Sequence, residues 1–417
     1  MTVLNIENLN SMYRNIWWNS STEFSPNMPI TSISKKKINE KHFDNLIDKI
    51  LEDLKSFPKD TSDRLFWKDK ISTSLENLIT TQNMFDLNTL DEGLKNKFFK
   101  STKDFLSESK LFDIDISYED IGQALRNVWI INMFQLAINE DIKFTPGIFG
   151  YSMLYPYTDN YLDDVSISID DKKTFNNRFT KRLDGDKVSF INNHEEKVYK
   201  LVEYIETQYD RLKYPKVYDA LLQIHEAQKK SLSQQEIVSI PYEKDILSIS
   251  IEKGGSSVLA DGYLIRGTLT KDEELFAYGY GFLLQLCYDL QDIKSDLENN
   301  HMTIMSQLSV LCPLDLIVNK LINLTIYVID NAKCFTCSNE KELRRLIKNN
   351  CINMILFAVV NNKDYFSKDY IKEVVELLPF TLKYIDKMKK NLKKKFKRLK
   401  SDCPELSLEE IAFYLPD

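Results

Sequence analysis

The stretch Gly281–Asn300, GFLLQLCYDLQDIKSDLENN, is where the fold becomes readable. Its first half is apolar through Phe282, Leu283, Leu284, Leu286 and Cys287. Asp289, Asp292 and Asp296 then recur at i, i+3 and i+7, with Gln285 one turn earlier. Those intervals place the three carboxylates on one face of an α-helix. Ionised carboxylates on an otherwise apolar helix are unfavourable unless they are paired or bind a metal. The spacing predicts a helix over Lys271–Asn299 whose acidic row has a task other than packing.

The rest of the chain supports a helical reading. Of 417 residues, 43% are hydrophobic and 28% charged, which fits a globular protein. Gly and Pro number only 11 each, about half of average usage, which argues against turn-dense all-β and low-complexity architectures. Strand-like alternation is confined to short pieces such as DILSISI from Asp245. With no internal repeat and no Gly- or Ser-rich linker, an all-α fold is expected, a single large helical bundle. Within it, residues 1–110 would form a helical segment packed on the core, 111–380 the main bundle, and 381–417 a basic helix and tail.

A second acidic cluster lies upstream. A long helix is expected from Tyr118 to Glu140, with Ile121, Leu125, Trp129, Ile130, Phe134 and Leu136 on a wide apolar face. Pro146, Gly147, Gly150 and Pro156 then interrupt the helical pattern just before YTDNYLDD, which carries Asp159, Asp163 and Asp164. Asp159 and Asp163 are four apart and would share a helical face. Further helices are expected over Asn193–Leu212 and from Pro215 to about Leu232, the latter opened by a first-turn proline.

Neither cluster includes His or Cys, and oxygen-only ligation selects Mg²⁺, or Mn²⁺ in its place, over zinc or copper. Mg²⁺ usually keeps several waters and is completed by substrate phosphates, so the clusters imply a diphosphate substrate. Cations must then face it. Arg178 and Arg182, with Lys181 beside them, are one candidate set, although surface pairing with Asp170, Asp171 or Asp184 explains them equally well. Lys253, next to Gly254 and Gly255, and Arg266 are another, and a helix-ending turn would account for the Gly-Gly pair as readily.

At these residues the chain resembles the class I isoprenoid synthases. Phe282–Asp296 is similar to the second aspartate-rich motif of polyprenyl diphosphate synthases, matched at Gln285, Asp289, Asp292 and Asp296, with Tyr288 standing where that motif has its first Asp. DNYLDD is similar to the first motif of squalene/phytoene synthases and to the D-Y-L-D motif of large bacterial terpene synthases, and KGGSSVLADGYL resembles the latter group too. The likeness spans about Tyr155 to Ser306. It implies an α-bundle in which Asp159, Asp163, Asp164, Asp289, Asp292 and Asp296 hold Mg²⁺. It further implies that Arg178, Lys181, Arg182, Lys253, Arg266 and Gln285 hold the diphosphate, and that Asp159, Asp163 and Asp292 are central to ionisation. Trp129, Phe134 and Tyr288 are the expected walls of an apolar cavity that shields an allylic cation.

The resemblance implies a terpene synthase or cyclase acting on a prenyl diphosphate. An elongating prenyltransferase is disfavoured because no Gly-Gly-Lys-Arg-like segment precedes the first cluster. A head-to-head condensing enzyme and a non-catalytic helical membrane-surface protein stay open. A homodimer would suit an enzyme of this kind.

Other features bound the partners and location. The formal charge of −7 argues against nucleic acid. The longest apolar run, MILFAVV from Met354, is far short of the ~20 residues that span a bilayer. The N-terminus has no apolar h-region, so a cytoplasmic protein is expected. Six cysteines, with one isolated C-x-x-C at Cys334 and Cys337, read as reduced thiols rather than a zinc site. From Lys383 to Lys400 ten Lys or Arg interleave with Ile385, Met388, Leu392, Phe396 and Leu399, a basic amphipathic helix that packs one face on the body or lies on an anionic membrane.

Overall fold

A computed structural model describes residues 6–24, 28–56, 58, 67, 70, 74, 91–164, 166–236, 238, 240, 243–337 and 339–402; for Asp163, Lys389, Phe396, Lys400 and Asp402 it describes the backbone alone. The described residues are all-α, without a strand. In chain order the α-helices are α1 (Ile6–Asn19), α2 (Ile33–Lys55), α3 (Glu92–Phe112), α4 (Tyr118–Ala137), α5 (Pro146–Asp163), α6 (Ile169–Asp184), α7 (Asn193–Gln208) and α8 (Pro215–Ser231). They continue as α9 (Ile246–Arg266), α10 (Lys271–Gln291), α11 (Ile293–Glu298), α12 (Ile304–Ser309), α13 (Asp315–Asp330), α14 (Glu340–Asn361), α15 (Lys368–Leu377) and α16 (Leu382–Asp402).

Local chemistry sets the helix starts. Ser117, Thr145, Ser168, Asn192 and Asp245 each accept a hydrogen bond from a first-turn amide, and Thr270 with Glu273 forms a full capping box at the head of α10. The alternating DILSISI is helix, because Asp245 caps it and its apolar residues continue into α9. Two expectations are corrected. Pro146 and Pro156 do not interrupt the first acidic segment: Pro146 occupies the first turn of α5, where its missing N–H costs nothing, and the helix runs through Pro156 to Asp163. The expected Lys271–Asn299 helix instead divides at Asp292, which ends α10 and begins α11.

Helices α9 and α10 cross backbone to backbone. A Cβ placed on Gly254 would lie 2.4 Å from the Gly281 carbonyl oxygen, and one on Gly281 would lie 2.0 Å from the Gly254 oxygen. The Gly-Gly pair therefore serves close packing in mid-helix rather than a turn.

One hydrophobic cluster joins described residues from Ile6 to Leu399, so the three sequence segments share a core. On the N-terminal side, the Tyr13 hydroxyl donates to the Leu275 carbonyl at 2.6 Å, and Trp17 packs edge-on to Phe282 with centroids 6.1 Å apart. At the other end, α16 lies against α2. Ile385 and Leu399 are buried, the Tyr384 hydroxyl donates to Asp44 at 3.0 Å, and Lys395 pairs with Asp48 at 2.6 Å. The apolar face of the basic helix is thus used by the body of the protein. No helix among the described residues is long and apolar enough to cross a membrane. Cys334 is buried, Cys337 half-buried, and both are free thiols.

Candidate active site

One aspartate from each acidic segment lines a shared cavity. A cavity of about 240 Å³ is lined from α4 by Arg126, from α5 by Asp159, from α8 by Gln228, from α9 by Lys253, and from α10 by Gln285 and Tyr288, with Asp292 at the α10–α11 junction. Gly254 and Gly281 line it too, so the close crossing of α9 and α10 forms part of its wall. Asp159 accepts from Gln228 Nε2 at 2.6 Å, which orients one carboxylate oxygen.

Behind this lining lies the rest of the second cluster. Asp289 is buried and accepts from Gln285 Nε2 at 2.8 Å and from Ser250 Oγ at 3.2 Å. Burial pushes its carboxyl up to about 6 against the opposing pull of those hydrogen bonds and of Lys253. Asp296 accepts from Thr303 Oγ1 at 3.2 Å, with His301 Nδ1 3.7 Å from its other oxygen. Burial and then the neighbouring Asp289 carboxylate raise it to about 7. The Asp292 carboxyl is raised by burial and drawn back by Arg126. A cation would relieve this crowding of negative charge.

Among the described residues no three His, Cys, Asp or Glu side chains are grouped as a metal cage. Two carboxylates on one cavity still fit Mg²⁺, which commonly takes one or two protein carboxylates and completes its shell with water and phosphate oxygens.

A second hollow adjoins the first. A groove of about 600 Å³ runs between α4, α10 and α14, with Trp129, Met133, Tyr280, Met354 and Phe357 among its mostly apolar walls. Arg126, Ile130, Leu284 and Tyr288 line both spaces, so a polar chamber and an apolar groove share a wall. A further hollow of about 630 Å³, which includes Tyr13, Asp272 and Tyr327, contains none of the motif residues.

Several expected site residues lie elsewhere. Arg178 binds the buried Glu195 with Nε at 2.8 Å and Nη2 at 3.0 Å. Arg182 forks onto Glu206 at 2.7 and 2.6 Å. Neither lines the chamber, and neither pairs with the aspartates of its own helix. Lys181 is exposed on α6. Arg266 is held by Glu140 at 2.9 Å and Glu273 at 2.7 Å, about 20 Å along α9 from Lys253. Asp164 is the exposed cap residue after α5, where hydrogen bonds from the Ser166 hydroxyl and then the Ser166 amide lower its pKa. The side chain of Asp163 lies outside the described residues. Phe134 is a core residue against Phe276, ring centroids 5.7 Å apart, rather than a cavity wall. Trp129 lines the apolar groove, and its Nε1 donates to Thr102 Oγ1 at 3.0 Å.

Sequence reasoning missed Arg126. Its guanidinium stands 5.6 Å from the Tyr288 ring centroid, and no carboxylate among the described residues lies within 4.0 Å of it. The available signal was that Arg126 is the single basic residue of α4. Asp261 was missed as well. It is fully buried, accepts from Asn127 Nδ2 at 2.9 Å, and burial raises its carboxyl well above the ordinary range. Asn127 itself lines the chamber.

Comparison with protein-family models, characterised proteins and solved structures returns no match. The functional reading therefore rests on the geometry above.

Proposed function

We propose that this chain is a Mg²⁺-dependent class I terpene synthase, which ionises a prenyl diphosphate to an allylic cation that cyclises or is quenched. The observation that carries the reading is the shared wall: one chamber offers carboxylates and cations, and the adjoining groove offers apolar surface. A ligand with an anionic head and a greasy tail matches both.

In this reading Arg126 and Lys253 bind diphosphate oxygens, while Asp159 and Asp292 hold the metal. Gln285 fixes Asp289 in support. When bound, Mg²⁺ neutralises charge gathering on the leaving diphosphate as its C–O bond breaks. Tyr288 and Trp129 would offer π faces to the cation, and the groove's mostly apolar walls would flank it. The fold would then be the class I isoprenoid synthase bundle.

The test is incubation with farnesyl and geranylgeranyl diphosphates, with Mg²⁺ or with chelator, and with or without isopentenyl diphosphate. The expected result is metal-dependent diphosphate release and a hydrocarbon or alcohol product without isopentenyl diphosphate. An elongated diphosphate that forms only when isopentenyl diphosphate is added would make it a transferase. The second reading is a non-catalytic helical membrane-surface protein, and absence of diphosphate release from both substrates would favour it.

A further inference from the structure

Helix α16 carries a feature that the chamber does not use. Lys383, Lys387, Lys390, Lys394 and Lys397 recur at i, i+4, i+7, i+11 and i+14, one straight row along the helix. All five are exposed, whereas Ile385 and Leu399 on the opposite side are buried against the body. The row is about 21 Å long. No carboxylate among the described residues lies within 4.0 Å of any of the five, although the same helix does pair Lys395 with Asp48 and Asp386 with Lys363. Like charges three and four apart repel.

The wider charge pattern sharpens the point. The helix holds ten cations and two aspartates, while the chain holds 55 cations and 62 carboxylates, so the remainder of the molecule has a net charge of −15. Such segregation orients the protein with one helix face toward a negative surface.

We propose that this face docks the protein on a bilayer containing anionic lipids. A plane of headgroups meets the whole row at once. A flexible nucleic acid suits it less, because the acidic remainder of the molecule would repel it, and Tyr384 is turned to Asp44. The inference stands whether or not the chain is an enzyme.

The experiment is co-sedimentation of the full chain with phosphatidylcholine vesicles, with or without phosphatidylserine, at low and high salt. Binding is expected only with phosphatidylserine and should weaken as salt screens it. Each lysine at a charged surface is worth about fivefold, so Lys387→Glu, Lys390→Glu and Lys394→Glu together should weaken binding on the order of 10²-fold or more, with circular dichroism unchanged. If the charge reversal unfolds the chain, the Lys→Gln triple and the salt series on the unaltered protein decide. Equal binding to both vesicle types, or none to either, overturns the proposal. Tighter binding to single-stranded RNA than to the anionic vesicles assigns the face to nucleic acid instead.

Discussion

Asp159, in the last turn of α5, and Asp292, at the junction of α10 and α11, line the same cavity although they belong to acidic segments far apart in the sequence. Asp159→Asn and Asp292→Asn are each expected to lower Mg²⁺-dependent diphosphate release on the order of 10²-fold or more. Asp164→Asn, at an exposed cap, should leave the rate within about twofold. Diphosphate assay of the three variants at matched thermal stability separates a shared metal site from a general effect of charge.

Arg126 and Arg178 should part ways. Arg126→Ala removes a chamber cation and should reduce kcat/KM on the order of 10-fold or more with little change in Tm. Arg178→Ala strands the buried Glu195, which also accepts from the Ile191 amide at 3.0 Å, and should cost about 2 kcal/mol of stability while leaving the rate intact below the melting transition. If Arg178→Ala lost activity and kept its stability, the placement of the diphosphate would be wrong.

The close crossing of α9 and α10 makes Gly254→Ala costly. Its new Cβ would meet backbone 2.4 Å away, which cannot swing aside, so at least about 1–3 kcal/mol should be lost, and the chamber distorted. At Gly122, on exposed α4 surface, a Cβ would meet nothing within 4 Å, and Ala should stabilise by about 0.5–1 kcal/mol. Denaturant melts of the two variants measure the contrast.

Acid sensitivity should trace in part to His225. It is buried on α8 with Nε2 3.0 Å from Thr180 Oγ1 and 3.2 Å from the Asn176 carbonyl, and burial pushes its pKa down to about 4. Unfolded, it titrates near 6.5. Between those values the unfolded chain binds a proton that the folded chain refuses, so this contribution is intact above pH ~6.5 and is lost as pH falls toward ~4, by up to about 3 kcal/mol. His225→Gln should flatten that part of the stability profile; an unchanged slope from pH 6.5 to 4.5 would remove His225 as its source.

The groove should set chain length. Met133→Trp fills space on its α4 wall, and a preference for farnesyl over geranylgeranyl diphosphate should rise by about tenfold, measured as a ratio of kcat/KM. No change in that ratio would mean that the tail lies elsewhere.

Much of this was legible in the sequence. The 3.6-residue periodicity located α4, and five of the residues singled out from the sequence, Asp159, Lys253, Gln285, Tyr288 and Asp292, line one chamber. The basic residues were harder. Arg178 and Arg182 show an inviting i, i+4 spacing, but their partners Glu195 and Glu206 lie on α7, and no local pattern encodes that pairing. Arg126 had the opposite fate, since a lone cation in an apolar helix has no period at all. DILSISI shows why short patterns decide little, because a few residues of alternation look alike at the head of a buried helix and in a strand. The division at Asp292 was hidden because the i, i+3, i+7 pattern extends unbroken across it.

The partition between chamber and groove is only a side chain thick at Tyr288 and Arg126. If the chain acts as proposed, recognition of head and tail cannot be tuned independently at those positions: a substitution chosen to admit a bulkier skeleton would also disturb the grip on the leaving group. Changes of product range with undiminished turnover should be sought on the far side of the groove, at Met354 and Phe357 of α14, which do not line the chamber.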